Sequence, residues 1–150
     1  NRARRFKREF SIAFIDLDNF KSINDRFGHQ TGDELLQLVV STMRENLRVT
    51  DYIARFGGDE FGILFLETTQ EQVKQAFKIC HDNLNKALIK KSWDQVTYSV
   101  AVLTFQQFDL SLAQMFNQAD KFLYWVKEHG KDQIVYRYGH EVIEFVDKKY

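Results

Sequence analysis

The run Phe10–Leu17, FSIAFIDL, constrains the fold of this chain most. It is short and apolar at almost every position, which predicts a β-strand buried on both faces and not a surface strand. The whole chain has 150 residues, of which 44% are apolar and 28% are charged. That size and composition are typical of one compact globular domain, which we expect to be built around this strand.

The other segments are assigned from their periodicity and their turn residues. We expect Asp18 to cap the first helix and Thr31 or Asp33 to cap the second. The single cysteine, Cys80, falls on an apolar helical stripe and is interpreted as a small buried hydrophobe. In chain order, the predicted elements are a helix over 19–27, a longer helix from 31–33, a hairpin of YIARF and FGILFL, a helix over 70–89, a strand in QVTYSVAVLTF, a helix ended by Gly130, and an edge strand IVYRY.

The order of these elements, β-α-α-β-β-α-β-α-β, predicts the fold class. It is an α+β pattern on a β-α-β-β-α-β core, the ferredoxin-like arrangement, with an antiparallel central sheet and flanking helices. In such a sheet the first strand lies beside and antiparallel to the strand that follows the hairpin turn. The end of the first strand then meets that turn, so we expect Asp16 to lie next to Asp59.

The charge of the chain is balanced, with 21 basic and 21 acidic residues. This balance argues against a general nucleic-acid or membrane-surface binder, so we expect no nucleic-acid partner and no membrane contact by this segment. The sequence shows no signal peptide, no long apolar run and no disulfide framework, which favours a cytoplasmic location, in a parent protein that a membrane could still anchor. The basic residues 1–8 and the charged tail 139–150 resemble cut edges of a longer polypeptide.

The hairpin turn RFGGDEFGILF joins two glycines to two carboxylates. Gly57 and Gly58 are expected to supply positive φ angles and to let another molecule approach the backbone closely. Asp59 and Glu60 have a purely structural explanation as solvated turn residues. However, carboxylates that converge with Asp16 would repel one another unless a divalent cation neutralised them, and oxygen ligands favour Mg²⁺ or Mn²⁺.

Cations and a helix start lie near the same strand end and suggest a phosphate site. The loop from Leu17 to Lys21 opens a helix, so its amides and the Lys21 ammonium could hold a phosphate. Lys127 and Lys131 lie four residues apart near the end of the last helix. Their simpler explanation is a favourable interaction with the helix dipole.

Three motifs together resemble the GGDEF domain, the bacterial diguanylate cyclase module. Gly57-Gly58-Asp59-Glu60-Phe61 is its signature, IDLDNFKSINDRFGHQTGDELL (15–36) is similar to its D-x-D-x-F-K segment, and ADKFLYWVKEHGK (119–131) resembles its A-D-x-A-L-Y segment. Asn1-Arg2 look like the N-R that ends the family's entry motif. The resemblance covers about residues 1–138 and implies a fold like nucleotidyl cyclases and polymerase palms.

The resemblance implies roles for individual residues. Asp16, Asp59 and the backbone carbonyl of Leu17 would bind Mg²⁺ (or Mn²⁺), with Glu60 as a metal ligand or the base, so that Asp59 and Glu60 are the catalytic pair. Asn24 and Asp33 would read guanine through their hydrogen-bonding groups. The other substrate contacts that it implies are the nucleotide pocket at His29, the sugar at Phe20, phosphates at Lys21, Lys127 and Lys131, and the turn at Gly57 and Gly58.

A fourth motif, Arg48-Val-Thr-Asp51, precedes the hairpin. An arginine after a helix followed by a turn aspartate has a purely structural explanation. In the GGDEF family, an R-x-x-D at this distance is the inhibitory product site, and a planar guanidinium suits phosphate or the guanine edge. The resemblance therefore implies that cyclic di-GMP binds at Arg48 and Asp51 as a feedback ligand.

The function that the resemblance implies is a diguanylate cyclase, which condenses two GTP into cyclic di-GMP and two pyrophosphates in a homodimer, with an upstream sensory or regulatory domain attached. Two alternatives stay open. The first is a degenerate GGDEF domain that binds GTP or cyclic di-GMP and regulates without catalysis, and the second is an interaction module whose hairpin acids are merely solvated. Ala101 stands where the family commonly has glycine, a change that concerns packing. Lys131 stands where the family commonly has arginine, which keeps the charge but loses the bidentate fork, so GTP affinity is expected to be weaker.

Overall fold

The computed structural model describes residues 9–93, 95–106 and 110–141. The predictions for residues 1–8, including Asn1-Arg2, and for 142–150 of the tail lie outside these residues. None of the helices in the described ranges is long and apolar enough to cross a membrane. The elements are β1 (Phe10–Leu17), α1 (Phe20–Phe27), α2 (His29–Glu45), β2 (Tyr52–Arg55), β3 (Glu60–Phe65), α3 (Gln70–Lys90), β4 (Tyr98–Phe105), α4 (Leu112–Glu128) and β5 (Ile134–Tyr138).

The five strands form one sheet in the order β2-β3-β1-β4-β5. β1 is central and runs antiparallel to both β3 and β4, whereas β5 lies parallel to β4 at one edge. Every residue of β1 except Asp16 is buried. The predicted α+β class, the strand buried on both faces and the closing edge strand are therefore confirmed.

Alternation along β1 divides the hydrophobic core between the two faces of the sheet. Ala13, Ile15 and Leu17 face a core layer formed with α2 and α3. Phe10, Ile12 and Phe14 face the layer formed with α4. Because successive strand side chains point to opposite faces, both layers need apolar side chains, and the buried Ser11 is accommodated by a hydrogen bond with Thr104 Oγ1. Cys80 is buried as predicted, and burial raises the pKa of its thiol to about 11.

The predicted caps of the first two helices are wrong. α1 follows Asn19, which has φ 58° and makes no capping hydrogen bond through its side chain, and Asp18 instead accepts hydrogen bonds from distant residues. α2 begins at His29 after Gly28, whose φ of 92° suits a glycine, so neither Thr31 nor Asp33 caps it. Tertiary partners and backbone geometry therefore outweighed local side-chain capping at both helix starts.

Candidate active site

The end of β1 meets the hairpin turn, as the predicted topology requires. In the antiparallel register Asp16 lies opposite Glu60. The backbone N–H of Leu17 donates to the carbonyl oxygen of Asp59 at 3.3 Å. The structure therefore brings Asp16, Leu17, Asp59 and Glu60 together at one end of the sheet.

The carboxylates at this end are electrostatically unfavourable to one another. Burial raises the pKa of Asp16 to about 6; a hydrogen bond from Lys127 opposes the rise and Asp59 adds to it. Burial also raises the pKa of Glu60 to about 7, with further contributions from Asp120 and Asp16. Lys127 Nζ lies 2.5 Å from Asp16 Oδ2, so the lysine ammonium already offsets part of the negative charge of the cluster.

Asp120 was not singled out from the sequence. It lies on α4, is exposed, and reaches Glu60 closely enough to raise the pKa of that carboxyl. A signal for it existed, because Asp120 and Lys127 are seven residues apart and therefore lie on one face of the helix. With Lys127 beside Asp16, Asp120 lies two turns, about 10 Å, away on the same face of α4, where it reaches Glu60.

The donor set at the turn fits a hard divalent cation. Asp16 Oδ1 is buried and has no hydrogen-bond partner, and the nearby groups are carboxylate and carbonyl oxygens, which Mg²⁺ prefers. Within the described ranges, no three acidic, imidazole or thiol side chains are already arranged as a metal-binding group. The residues therefore suit the cation by their chemistry.

The glycine turn differs from its predicted geometry. Neither Gly57 nor Gly58 has a positive φ, so that expectation is wrong. Instead, the Arg55 guanidinium holds the turn by donating to the carbonyl oxygens of Gly57 at 2.9 Å and Gly58 at 2.7 Å. Apart from the adjoining residues of the chain, no atom lies within 4 Å of where a Cβ would stand on either glycine. The side of the turn that a ligand would approach is therefore open.

The predicted phosphate-binding lysines surround the loop between β1 and α1. Lys127 bonds to Asp16, and Lys131 Nζ donates to Asn19 Oδ1 at 3.4 Å. Lys21 is exposed in the first turn of α1. Three ammonium groups from two distant parts of the chain are thus placed near one helix start, where anions are favoured.

The predicted guanine contacts lie on the adjacent helices α1 and α2. Asn24 Oδ1 is buried without a hydrogen-bond partner, and a Cβ added to Gly32 would lie 1.8 Å from it. The Phe20 ring packs beneath Gly32 and is only 8% exposed. Asp33 is exposed and lines a groove of about 770 Å³ between α2 and β2. His29, at the first turn of α2, is also exposed.

The Arg48 and Asp51 side chains lie apart from the carboxylate cluster, and they bond to each other. Arg48 Nη2 donates to Asp51 Oδ1 at 3.1 Å and to the Leu66 carbonyl at 3.0 Å, and it also contacts Thr68 Oγ1. The Asp51 side chain is 3% exposed, whereas that of Arg48 is 51% exposed. Arg48 also lines a groove of about 860 Å³ whose walls are mainly Phe10, Leu64, Leu66, Leu110, Leu112 and Met115.

Comparison with known proteins shows which family the chain belongs to. The model of the family described as "Diguanylate cyclase, GGDEF domain" matches residues 1–133. The chain is 30% identical over 149 residues to the probable diguanylate cyclase DgcT of Escherichia coli K12, covering 94% of this chain and 31% of that protein. It spans between 18% and 35% of the curated relatives DgcT, DgcP and DgcC.

Solved structures show the same fold. The active GGEEF domain of a diguanylate cyclase from Vibrio cholerae superposes with a TM-score of 0.74 at 26% identity, covering 90% of this chain and 86% of that one. A microbial GGDEF domain studied for its interaction with cyclic di-GMP superposes with a TM-score of 0.73 at 27% identity, covering 90% and 83%. With the family model matching most of its length, this chain belongs to the GGDEF domain family of diguanylate cyclases.

Proposed function

We propose that this domain condenses two GTP molecules into cyclic di-GMP and two pyrophosphates. The observation that carries the proposal is the pairing of Asp16 with Glu60 across β1 and β3, beside a glycine turn that is open to a ligand. Family membership supports the same reaction, since the Vibrio cholerae domain named above is the active GGEEF domain of a diguanylate cyclase and DgcT is a probable one.

Each residue would contribute a distinct part of the chemistry. Asp16, Asp59 and the Leu17 carbonyl would hold Mg²⁺ or Mn²⁺, with Glu60 as a further ligand or as the base. When bound, the ion supplies positive charge for the phosphates and for the leaving pyrophosphate. Without a cation, burial and the neighbouring carboxylates raise the pKa of Glu60. A Glu60 carboxylate that does not bind the ion would therefore be a stronger base than an ordinary glutamate for the proton of the attacking 3′-hydroxyl. The exposed lysines Lys21 and Lys131 would orient the phosphate chain, since ammonium groups bind phosphates as point charges.

The reaction requires two domains. In each bond-forming step, the 3′-hydroxyl of one GTP attacks the α-phosphate of the other, the new O3′–P bond forms, and pyrophosphate leaves. One turn offers one set of Asp16, Asp59 and Glu60 groups, so we propose that two copies face each other across a twofold axis, each holding one GTP. An attached upstream domain would regulate activity by controlling this encounter.

Incubation of the full-length parent protein with GTP and Mg²⁺, followed by chromatography of the nucleotides, tests the proposal. We expect cyclic di-GMP and pyrophosphate to appear in a ratio of one to two. GTP that raises the melting midpoint but is never converted would replace the proposal with the regulatory alternative. A midpoint that GTP and cyclic di-GMP both leave unchanged would support the interaction module.

Feedback by the product is the second part of the proposal. Arg48 is half exposed and borders the larger groove, so its guanidinium can turn from Asp51 towards a phosphate or guanine edge. Asp51 would then accept from guanine N–H groups. The internal pair would be exchanged for contacts with cyclic di-GMP, away from Asp59.

Replacing Arg48 with alanine tests this site. Arg48→Ala is expected to weaken cyclic di-GMP binding at least about tenfold and to raise accumulated product, with an unchanged initial rate. It should also lower the free energy of unfolding by about 1 kcal/mol, because the nearly buried Asp51 carboxylate loses a hydrogen-bond donor.

Calorimetry with cyclic di-GMP and melting curves would measure both effects. Arg137→Ala is a suitable control, because Arg137 lies in β5 at the opposite edge of the sheet from β2, and it should bind the product as the wild type does. Equal affinity in Arg48→Ala and wild type would remove the inhibitory site from this proposal.

A further inference from the structure

Asp18 is buried and fully hydrogen-bonded at the edge of the candidate active site. It is 2% exposed. Ser99 Oγ donates to its Oδ1 at 2.7 Å, while Thr97 Oγ1 and the backbone N–H of Asp132 donate to its Oδ2 at 2.8 and 2.9 Å. A buried carboxylate needs such donors, and these come from β4, the segment before it, and the turn after α4.

Asp16, two residues earlier, has a carboxylate that is not fully hydrogen-bonded. Asp16 Oδ1 is buried without a partner, so it can still accept a ligand, whereas both oxygens of Asp18 are occupied. Binding a metal through Asp18 would require breaking hydrogen bonds to groups that would be left buried and unpaired. The two aspartates of this D-x-D stretch therefore have different tasks.

The turn that Asp18 holds has an unfavourable backbone. Lys131 has φ 56° and Asp132 has φ 44°, two consecutive left-handed residues that are not glycine. Such conformations persist when surrounding contacts hold them in place. The hydrogen bond from the Asp132 N–H to Asp18 is one such contact, and it acts on the residue directly after Lys131.

That backbone directs Lys131 towards the loop between β1 and α1. Its ammonium reaches Asn19 Oδ1, and Asn19 itself has a left-handed φ of 58°. The Asp18 backbone N–H donates to the Thr97 carbonyl at 3.0 Å, which fixes the start of the same loop. Through its backbone and its carboxylate, Asp18 thus ties together the two segments that carry Lys21 and Lys131.

We propose that Asp18 is a positioning residue, which holds the turn after α4 so that the Lys131 ammonium meets the phosphates of the nucleotide. This inference rests on the proposed GTP site and adds a residue whose carboxylate acts through hydrogen bonds and touches neither metal nor substrate. It predicts that Asp18 and Lys131 act as one unit in nucleotide binding.

A double-mutant cycle in the full-length parent protein tests this coupling. The probe is 3′-deoxy-GTP with Mg²⁺, which lacks the attacking hydroxyl, and its affinity is measured by calorimetry. Asp18→Ala and Lys131→Ala should each weaken binding about tenfold. The double variant should lose no more affinity than the single variant with the larger loss. With GTP, KM should rise in the same proportion while kcat stays within about twofold, because uniform binding is lost.

Asp18→Asn separates hydrogen bonding from charge. The amide oxygen can take the place of Oδ2, and the Ser99 hydroxyl can reverse to accept from the amide nitrogen, so affinity should stay within about threefold of wild type. A tenfold loss in a natively folded Asp18→Asn would overturn the proposal, since it would assign the effect to charge. If Asp18→Ala fails to fold, the affinity of Asp18→Asn still tests the proposal.

Hydrogen exchange without nucleotide examines the turn directly. The Asp132 amide should be protected in wild type and Asp18→Asn and exchange faster in folded Asp18→Ala. Equal protection in all three, additive losses in the cycle, or wild-type affinity in Lys131→Ala would each overturn the positioning role while leaving the proposed reaction intact. Absence of 3′-deoxy-GTP binding to wild type would instead overturn the proposed function, and this inference with it.

Discussion

Asp59→Asn and Glu60→Gln are each expected to reduce cyclic di-GMP formation by at least about a hundredfold while the domain stays folded. Both variants keep the size of the side chain and remove its negative charge. The loss follows because the proposed roles, holding a cation and accepting a proton, need an ionised carboxylate. The melting midpoint should stay equal or rise slightly, since burial penalises the ionised form of Glu60.

Nucleotide chromatography for activity and thermal melting for stability would measure the two effects separately. Asp120→Asn provides the matched control, because Asp120 lies beside Glu60 but is exposed and belongs to α4. We expect it to change turnover by no more than a few-fold. Near-normal turnover in Asp59→Asn or Glu60→Gln would show that the metal and base assignments are wrong.

Asp33→Ala is expected to lower the preference for GTP over ATP by about a hundredfold. A carboxylate that accepts hydrogen bonds from guanine N–H groups would be left unpaired against adenine, which corresponds to several kcal/mol. Asp33 is exposed beside the groove between α2 and β2, so its removal should leave the fold unchanged. Competition between GTP and ATP, followed by calorimetry, would measure the change in selectivity.

Two further variants test whether the effect is specific to the guanine site. Glu34→Ala removes an adjacent exposed carboxylate and should keep the wild-type selectivity. Gly32→Ala adds a methyl group where Asn24 Oδ1 now lies, so it should displace Asn24 and weaken GTP binding with little loss of stability, because the end of a side chain can move. Unchanged selectivity in Asp33→Ala would separate Asp33 from the guanine site.

Much of the fold could be predicted because burial follows the local pattern of apolar residues. The run Phe10–Leu17 is the central strand, and the stripe containing Cys80 lies on the buried face of α3. Element order then restricted the sheet topology, and the topology placed Asp16 beside the glycine turn. The carboxylate cluster was therefore accessible from the sequence, since it depends on strand pairing and not on side-chain detail.

The errors came where a polar group had several possible partners. Asp18 has the sequence position of a helix cap, and the turn glycines have the sequence of a turn with positive φ angles. In the fold, Asp18 is hydrogen-bonded by groups 79, 81 and 114 residues away, and Arg55 bonds to the turn carbonyls. Local patterns contain no information about partners of Asp18 at such separations, and the two Arg55 bonds, although local, depend on the conformation of the turn.

The sequence by itself determined the strands and helices, the pairing of β1 with the strand after the hairpin turn, and the gathering of acids at one end of β1. Only the tertiary structure decided that Asp16 keeps a buried oxygen without a partner while Asp18 is fully bonded, that Asp120 reaches Glu60, and that Arg48 donates to the Leu66 carbonyl. The physical reason is that burial of apolar groups is non-directional and can be read from periodicity. Hydrogen bonds and charge pairs depend on distances of a few ångströms, which are set only when remote segments pack together.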